Sequence, residues 1–379
     1  MLRNRKVLEV ALACLTMVLS PTFTPAADPL VFITAFAPGE QGAIHAYEFD
    51  TKVGRLKPLH RTPGETPFFL ALSPNRKILY STHTKQFGGK ENDQVAAYEV
   101  VGRTGELRIH NQQSSEGRGA CYLSVDHTGN AVLVSNYTSG SVASLPVRMD
   151  GSLGDLASFN QHVASSANAK KPKGPLAHCI VVSPENRYAY VADKGLDQIF
   201  CYKLDLAKGK LTPNTPPFTK TSAGAGPRHL TFHPNEKRVY VIDELSNSIT
   251  GFDYDVDSGT LTEKQTISTL PKDFTGTTKC ADLKITPDGR YLYGTNRGHD
   301  SIAAYRIEDD GTLSLVAIEP SLGKEPQNLA ITADGRWLLC ANRQGNNVAV
   351  FQIDGMTGRL KSAGEPISQP RPSCIMLLP

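Results

Sequence analysis

One short pattern recurs seven times along the chain, and this repeat restricts the possible fold more than any other feature. Each copy is an apolar strand, a turn such as Ser-Pro-Asn or Thr-Pro-Asp-Gly, and a second apolar strand. Residues 69–74 precede 77–82, 179–184 precede 187–192, 229–234 precede 238–242, and 282–287 precede 290–295. Weaker copies begin at Tyr122 and Asn328, and a half-copy at Cys374 ends the chain. Successive copies start about 51 residues apart, and one such unit cannot bury its own apolar faces. Seven units of this period predict an all-β, seven-bladed propeller.

Each blade needs four antiparallel strands. A third strand follows the first two, as at 94–100 or 301–307, and a Gly-led fourth comes next, as at 105–109 or 311–315. Period-two alternation with Gly, Asp or Asn turns suits half-buried antiparallel strands. The last copy is split. Residues 374–378 supply only a first strand, whereas 30–36, 43–49 and 54–59 supply three strands without a first. Joining them closes the ring with N- and C-terminal strands and removes two open edges. The expectation is a single propeller domain over 28–379.

Composition agrees. Hydrophobic residues are 40% of the chain and charged residues 20%, enough for a core and too apolar for disorder. The net charge of +3 includes no basic block, which argues against a nucleic-acid partner. Three of the positive charges, Arg3, Arg5 and Lys6, precede an apolar run over 7–19 that a small-residue stretch follows. This is the pattern of a secretory signal over 1–27, with Ala26 or Ala27 the last residue removed. The run is too short to span a bilayer, so no stable membrane insertion is expected after cleavage, and the mature protein is placed in the periplasm or outside the cell. Glu9 interrupts the run, and Cys14 lies too early in it for a lipoprotein site. Six cysteines remain after cleavage. They lack a CxxC pair and sit in apolar strand patterns, which reads as buried free thiols.

Standard catalytic motifs are missing. There is no GxSxG, HExxH or Walker loop, and the ten histidines show no metal-ligand spacing, so neither metal nor cofactor is expected. Aligning the repeats is more informative. The position before each first strand holds Phe68, Cys121, His178, Arg228, Ala281, Gln327 and Ser373. The position ten after each turn proline, or its equivalent, holds Thr84, Tyr137, Lys194, Glu244, Arg297 and Arg343. In an antiparallel hairpin the start of the first strand lies beside the end of the second, so both columns fall at one face of the ring. His178, Arg228, Glu244 and Arg297 belong to consecutive blades 3, 4 and 5 and are expected to converge at one channel mouth. They amount to an acid–base pair with an anion clamp, suited to a small anionic ligand. An ion pair that merely braces the blades is the alternative for Arg228 and Glu244. One position earlier stand His83, Asn136, Asp193, Asp243, Asn296 and Asn342, side chains that bond local backbone and cap turns.

These stretches carry a resemblance. Gly226-Pro-Arg-His-Leu-Thr-Phe-His-Pro234, Tyr240-Val-Ile-Asp-Glu-Leu-Ser-Asn247, Ser135-Asn-Tyr-Thr-Ser-Gly140, Pro287-Asp-Gly-Arg-Tyr-Leu-Tyr293 and Asn296-Arg-Gly-His-Asp-Ser301 resemble the lactonase family of seven-bladed propellers over essentially all of 28–379. That family includes bacterial 6-phosphogluconolactonases and fungal carboxymuconate cyclases. The resemblance implies an active site at His178, Arg228, Glu244 and Arg297. His178 or Glu244 would be the base, and the two arginines would bind phosphate or oxyanion. It implies metal-independent hydrolysis of a sugar lactone, with cycloisomerisation of a carboxylated muconate as the alternative activity and a non-enzymatic binding platform as the other. The chain departs from the family in three places. Leu176 replaces a histidine upstream of His178, Asp243 replaces the usual Asn before Glu244, and Asp282 stands where Glu is common.

Overall fold

The computed structural model describes residues 28–84, 87–163 and 174–379. The expected secretory signal over 1–27 lies outside the described residues. Seven antiparallel sheets surround a central channel, and the repeat sets their order. The turn explains why each repeat forms a hairpin. In blade 1, Ser73 N–H donates to Ile78 O at 2.9 Å, and Lys77 N–H donates to the Asn75 side chain at 3.0 Å. The fourth residue of the turn (Arg76, Gly129, Asn186, Glu236, Gly289 and Gly335) has a left-handed φ in all six complete turns, and glycine supplies it in three of them.

Blade 3 runs Ala177–Val182, Tyr188–Asp193, Gln198–Asp205 and Lys210–Lys220 from the channel outward. Blade 4 follows with Pro227–Phe232, Arg238–Asp243, Ser248–Asp255 and Thr260–Ser268, and blade 5 begins with Lys279–Ile285 and Tyr291–Arg297. Blade 6 departs from the simple pattern because its outer strand is broken into Leu360–Ser362 and Ile367–Ser368. Blade 7 is the expected split blade: Pro372–Leu378 lies inside Leu30–Ala35, Ala43–Asp50 and Arg55–Pro63.

Apolar side chains fill the spaces between neighbouring blades. Tyr190, Tyr240 and Tyr293 add a recurring bolt, because each buried ring donates its hydroxyl to a glycine carbonyl in the next blade. The acceptors are Gly259, Gly311 and Gly358, at 2.7–2.8 Å. The six cysteines from Cys121 to Cys374 are free and buried, as the strand patterns implied. No described helix is long and apolar enough to cross a membrane.

One backbone feature positions the functional side chains and was not anticipated. The ladder between the first two strands slips in every blade, at the position of the first column. Ala177 pairs with Asp193 and Cys179 with Ala192, which leaves His178 as the extra residue. Pro227 pairs with Asp243 and His229 with Ile242, which leaves Arg228 extra. A β-bulge takes its extra residue out of the ladder and re-aims the side chain.

Candidate active site

Glu244 follows the second strand of blade 4, and three cations converge on its carboxylate. Lys194 Nζ lies 2.9 Å from Oε1, whereas Arg228 Nε and Arg297 Nη2 each lie 3.0 Å from Oε2. The cations come from blades 3, 4 and 5. Glu244 and Arg228 are only 5% and 2% exposed at the side chain, so these contacts are little screened. Burial pushes the Glu244 carboxyl up, but Arg297, Arg228 and Lys194 outweigh it and hold the group at about 2. Burial, and then Arg297, bring Arg228 down to about 10.

Arg228 has five N–H donors. Nε is committed to Glu244, and Nη1 donates to His229 Nε2 at 3.1 Å and to the Ala281 carbonyl. Among the described residues, none is hydrogen-bonded to Nη2. Arg297 is anchored by a 2.9 Å bond to Cys280 O and reaches Gln327 at 3.4 Å. It lines a cleft of about 430 Å³ with Glu244, Lys279, Lys324 and Arg343.

His178 sits against the cluster without bonding to Glu244. Its ring packs edge-on to His229 at 5.2 Å and to Tyr137 at 5.3 Å, and Nδ1 is 3.8 Å from Cys121 Sγ. Burial, reinforced by Arg228, His229, Lys194 and Arg297, pushes its pKa well below the ordinary histidine value. His178 is therefore a neutral imidazole. Three cations against one carboxylate leave the cluster with a net charge of +2.

Three of the four residues expected at the mouth are thus in direct contact, and the fourth lies beside them through two aromatic edges. Lys194 and Tyr137 complete the site. Both stood in the second column, but nothing in the sequence singled them out as partners. Lys194 Nζ lies 4.8 Å over the Tyr137 ring while binding Glu244. The column expected to cap local turns does so only in blade 3, where Asp193 accepts from the Gly195 and Leu196 N–H groups as well as from Leu176 N–H; Asn136, Asn296 and Asn342 instead donate to the distant carbonyls of Ser115, Thr269 and Ser321, and His83 bonds Glu65 O. Asp243 differs. It binds only Ser248 and Thr250 through Oδ2, Oδ1 has no partner, and burial raises its pKa to about 7. Among the described residues, no group of three or more His, Cys, Asp or Glu could hold a metal ion.

The family profile "Lactonase, 7-bladed beta-propeller" matches residues 30–377. The chain belongs to this family. It is 34% identical to the 6-phosphogluconolactonase of Bacillus subtilis (strain 168) over 349 residues, 92% of this chain and 97% of that protein. It is 32% identical to the 6-phosphogluconolactonase of Formosa agariphila over 304 residues, 79% of this chain and 85% of the other. Among solved structures, the periplasmic gluconolactonase of Pseudomonas aeruginosa superposes with a TM-score of 0.86 at 29% identity, covering 93% of this chain and 99% of that one. This lactonase-family chain thus shares a nearly complete propeller with relatives named for sugar-lactone hydrolysis.

Proposed function

We propose that the chain hydrolyses a sugar lactone of the gluconolactone type, and that His178, Arg228, Glu244 and Arg297 form its active site. The observation that carries this reading is the +2 cluster at the channel mouth beside a neutral, buried imidazole. Water attacks the lactone carbonyl carbon while the His178 imidazole takes its proton. The carbonyl oxygen becomes an oxyanion facing Arg228 Nη2 and the Arg297 guanidinium. The ring C–O bond then breaks, the leaving alkoxide takes the proton back from His178, and the product is the open hydroxy acid.

Between the two candidate bases the geometry favours His178. Glu244 has both oxygens committed to cations, so its role is to hold the two arginines together. Two guanidiniums supply the positive charge the oxyanion needs, which makes the proposed step metal-independent.

We infer export from the charged, apolar and small-residue pattern of 1–27, and the similarity to a periplasmic gluconolactonase supports this. The test is a panel of purified lactones and carboxylated muconates. It includes gluconolactone with and without a 6-phosphate, with ring opening followed in the presence and absence of a chelator. Hydrolysis of a gluconolactone, unchanged after prolonged chelation, is expected. Muconate closure alone would make the chain a cyclase, and no reaction at all would make the mouth a binding surface.

A further inference from the structure

Behind Arg228 lies a second buried chain of polar groups that the hydrolytic steps do not use. His229 and Asp282 are 3% and 1% exposed, and His229 Nδ1 lies 2.8 Å from Asp282 Oδ1. The other carboxylate oxygen accepts from Asn328 Nδ2 at 2.7 Å, Lys284 Nζ at 2.9 Å and Leu329 N at 2.9 Å. Surrounded by donors, Asp282 is an ionised acceptor, so His229 Nδ1 must carry the proton. Arg228 Nη1 lies 3.1 Å from Nε2, and an arginine only donates, so Nε2 must be bare. The two ends of the imidazole thus select the same tautomer independently.

The bulge of blade 5 links both contacts to Arg228. Ala281 and Asp282 lie together where the ladder slips between Cys280 and Leu283. The Ala281 carbonyl holds one Nη1 hydrogen directly, and Asp282 reaches the other through His229. With Nε on Glu244, rotation of the guanidinium plane is blocked from three sides.

We infer that His229 and Asp282 are positioning residues: Asp282 fixes the His229 tautomer, and His229 locks Arg228 in the orientation that leaves Nη2 for the reacting oxygen. The functional part of this inference rests on the lactonase reading; the positioning of the guanidinium does not. Asp282 itself remains well below the ordinary carboxyl range, because Lys284 and His229 outweigh its burial. The rings facing His229 are His178, Tyr122 and Phe69, none of which offers Nε2 a competing hydrogen bond in this geometry.

The experiment begins with the wild-type protein. ¹⁵N NMR of His229 should show Nδ1 protonated and Nε2 bare, the reverse of the tautomer that dominates for free histidine in water. An Nε2–H signal would overturn the inference, because two donors would then face each other. Two variants add the functional readout. His229→Asn keeps a donor near the Nδ1 position and removes the acceptor for Arg228, whereas His229→Gln places an amide oxygen near the Nε2 position. On the lactone that the wild type hydrolyses, kcat should fall at least about 10-fold in the Asn variant with a smaller change in KM, and return to within about 3-fold in the Gln variant. Equal rates for the two folded variants would overturn it, since a purely structural role gives no such split. If the wild type hydrolyses no lactone, the lactonase reading fails. The positioning is then judged on the tautomer and on inorganic phosphate affinity, which should be stronger in the Gln than in the Asn variant. If neither variant folds, the wild-type tautomer decides.

Discussion

The same bulge produces two different surfaces on opposite sides of the channel mouth. In blades 3 and 4 it presents His178 and Arg228 to the Lys194–Glu244–Arg297 cluster. In blade 1 it presents Phe68, whose ring packs edge-on to Phe36 and to Phe87 at 4.9 Å each. The charged side satisfies its donors through one shared carboxylate, and the aromatic side has no such constraint. Backbone geometry is common to both, so the chemistry resides in which residue the bulge holds. A substitution on the charged side should alter binding, catalysis and stability together. One on the aromatic side should alter packing alone.

The largest effect on this contrast is expected from Glu244→Gln. It leaves Lys194, Arg228 and Arg297 packed together without their counter-charge, and breaking a buried pair of this kind costs about 3–5 kcal/mol. Chemical denaturation should show this loss. A variant as stable as the wild type would mean that the carboxylate does not hold the cations together. The Glu244 contribution is present above the ordinary glutamate pKa and is lost as pH falls towards about 2, so the difference between the proteins should shrink in strong acid.

Next comes Arg228→Lys. The charge survives, but the planar fork that reaches Glu244, His229 and Ala281 together does not. Lactone kcat/KM should fall by roughly 1–3 kcal/mol in transition-state terms. A change confined to the melting temperature would reassign Arg228 as a brace between blades.

A smaller and opposite effect is expected at Asp243. In blades 2, 5 and 6 the equivalent Asn donates to the carbonyl of Ser115, Thr269 or Ser321; in blade 4 the equivalent residue is Thr221, and Asp243 Oδ1 has no partner. Folded Asp243 retains its proton up to about pH 7, whereas the unfolded chain releases it near the ordinary aspartate value. Stability from this group is therefore full at low pH and declines as pH rises through that window. Asp243→Asn should remove the decline and add about 1–3 kcal/mol at pH 8, with little gain at pH 4. Equal gains at both pH values would contradict the assignment of a buried proton.

Much of this architecture is legible in the sequence. The repeat announces the propeller, and the unmatched strands at the two ends announce the split blade, since residues 374–378 and 30–36 each lack a partner until they are joined. The two columns also select the four residues at the mouth, because hairpin geometry places strand starts beside strand ends. The bulges are not legible: a one-residue slip depends on the ladder pairing across the hairpin, and the strand pattern reads the same with or without it. Lys194 and the His229–Asp282 pair escape for a related reason. Their roles depend on contacts across blades about 50 residues apart in sequence, and Lys194 alone in its column looks like any solvated lysine.

The central claim is that catalysis belongs to the charged side of the mouth and begins at His178. The most direct test measures gluconolactone hydrolysis, corrected for spontaneous opening, by the wild type, His178→Gln and Phe68→Leu under identical conditions. His178→Gln should lower kcat at least about 100-fold, the usual scale for losing a general base, while Phe68→Leu stays within a few-fold of the wild type. A His178→Gln protein that folds and hydrolyses the lactone at the wild-type rate would contradict the account.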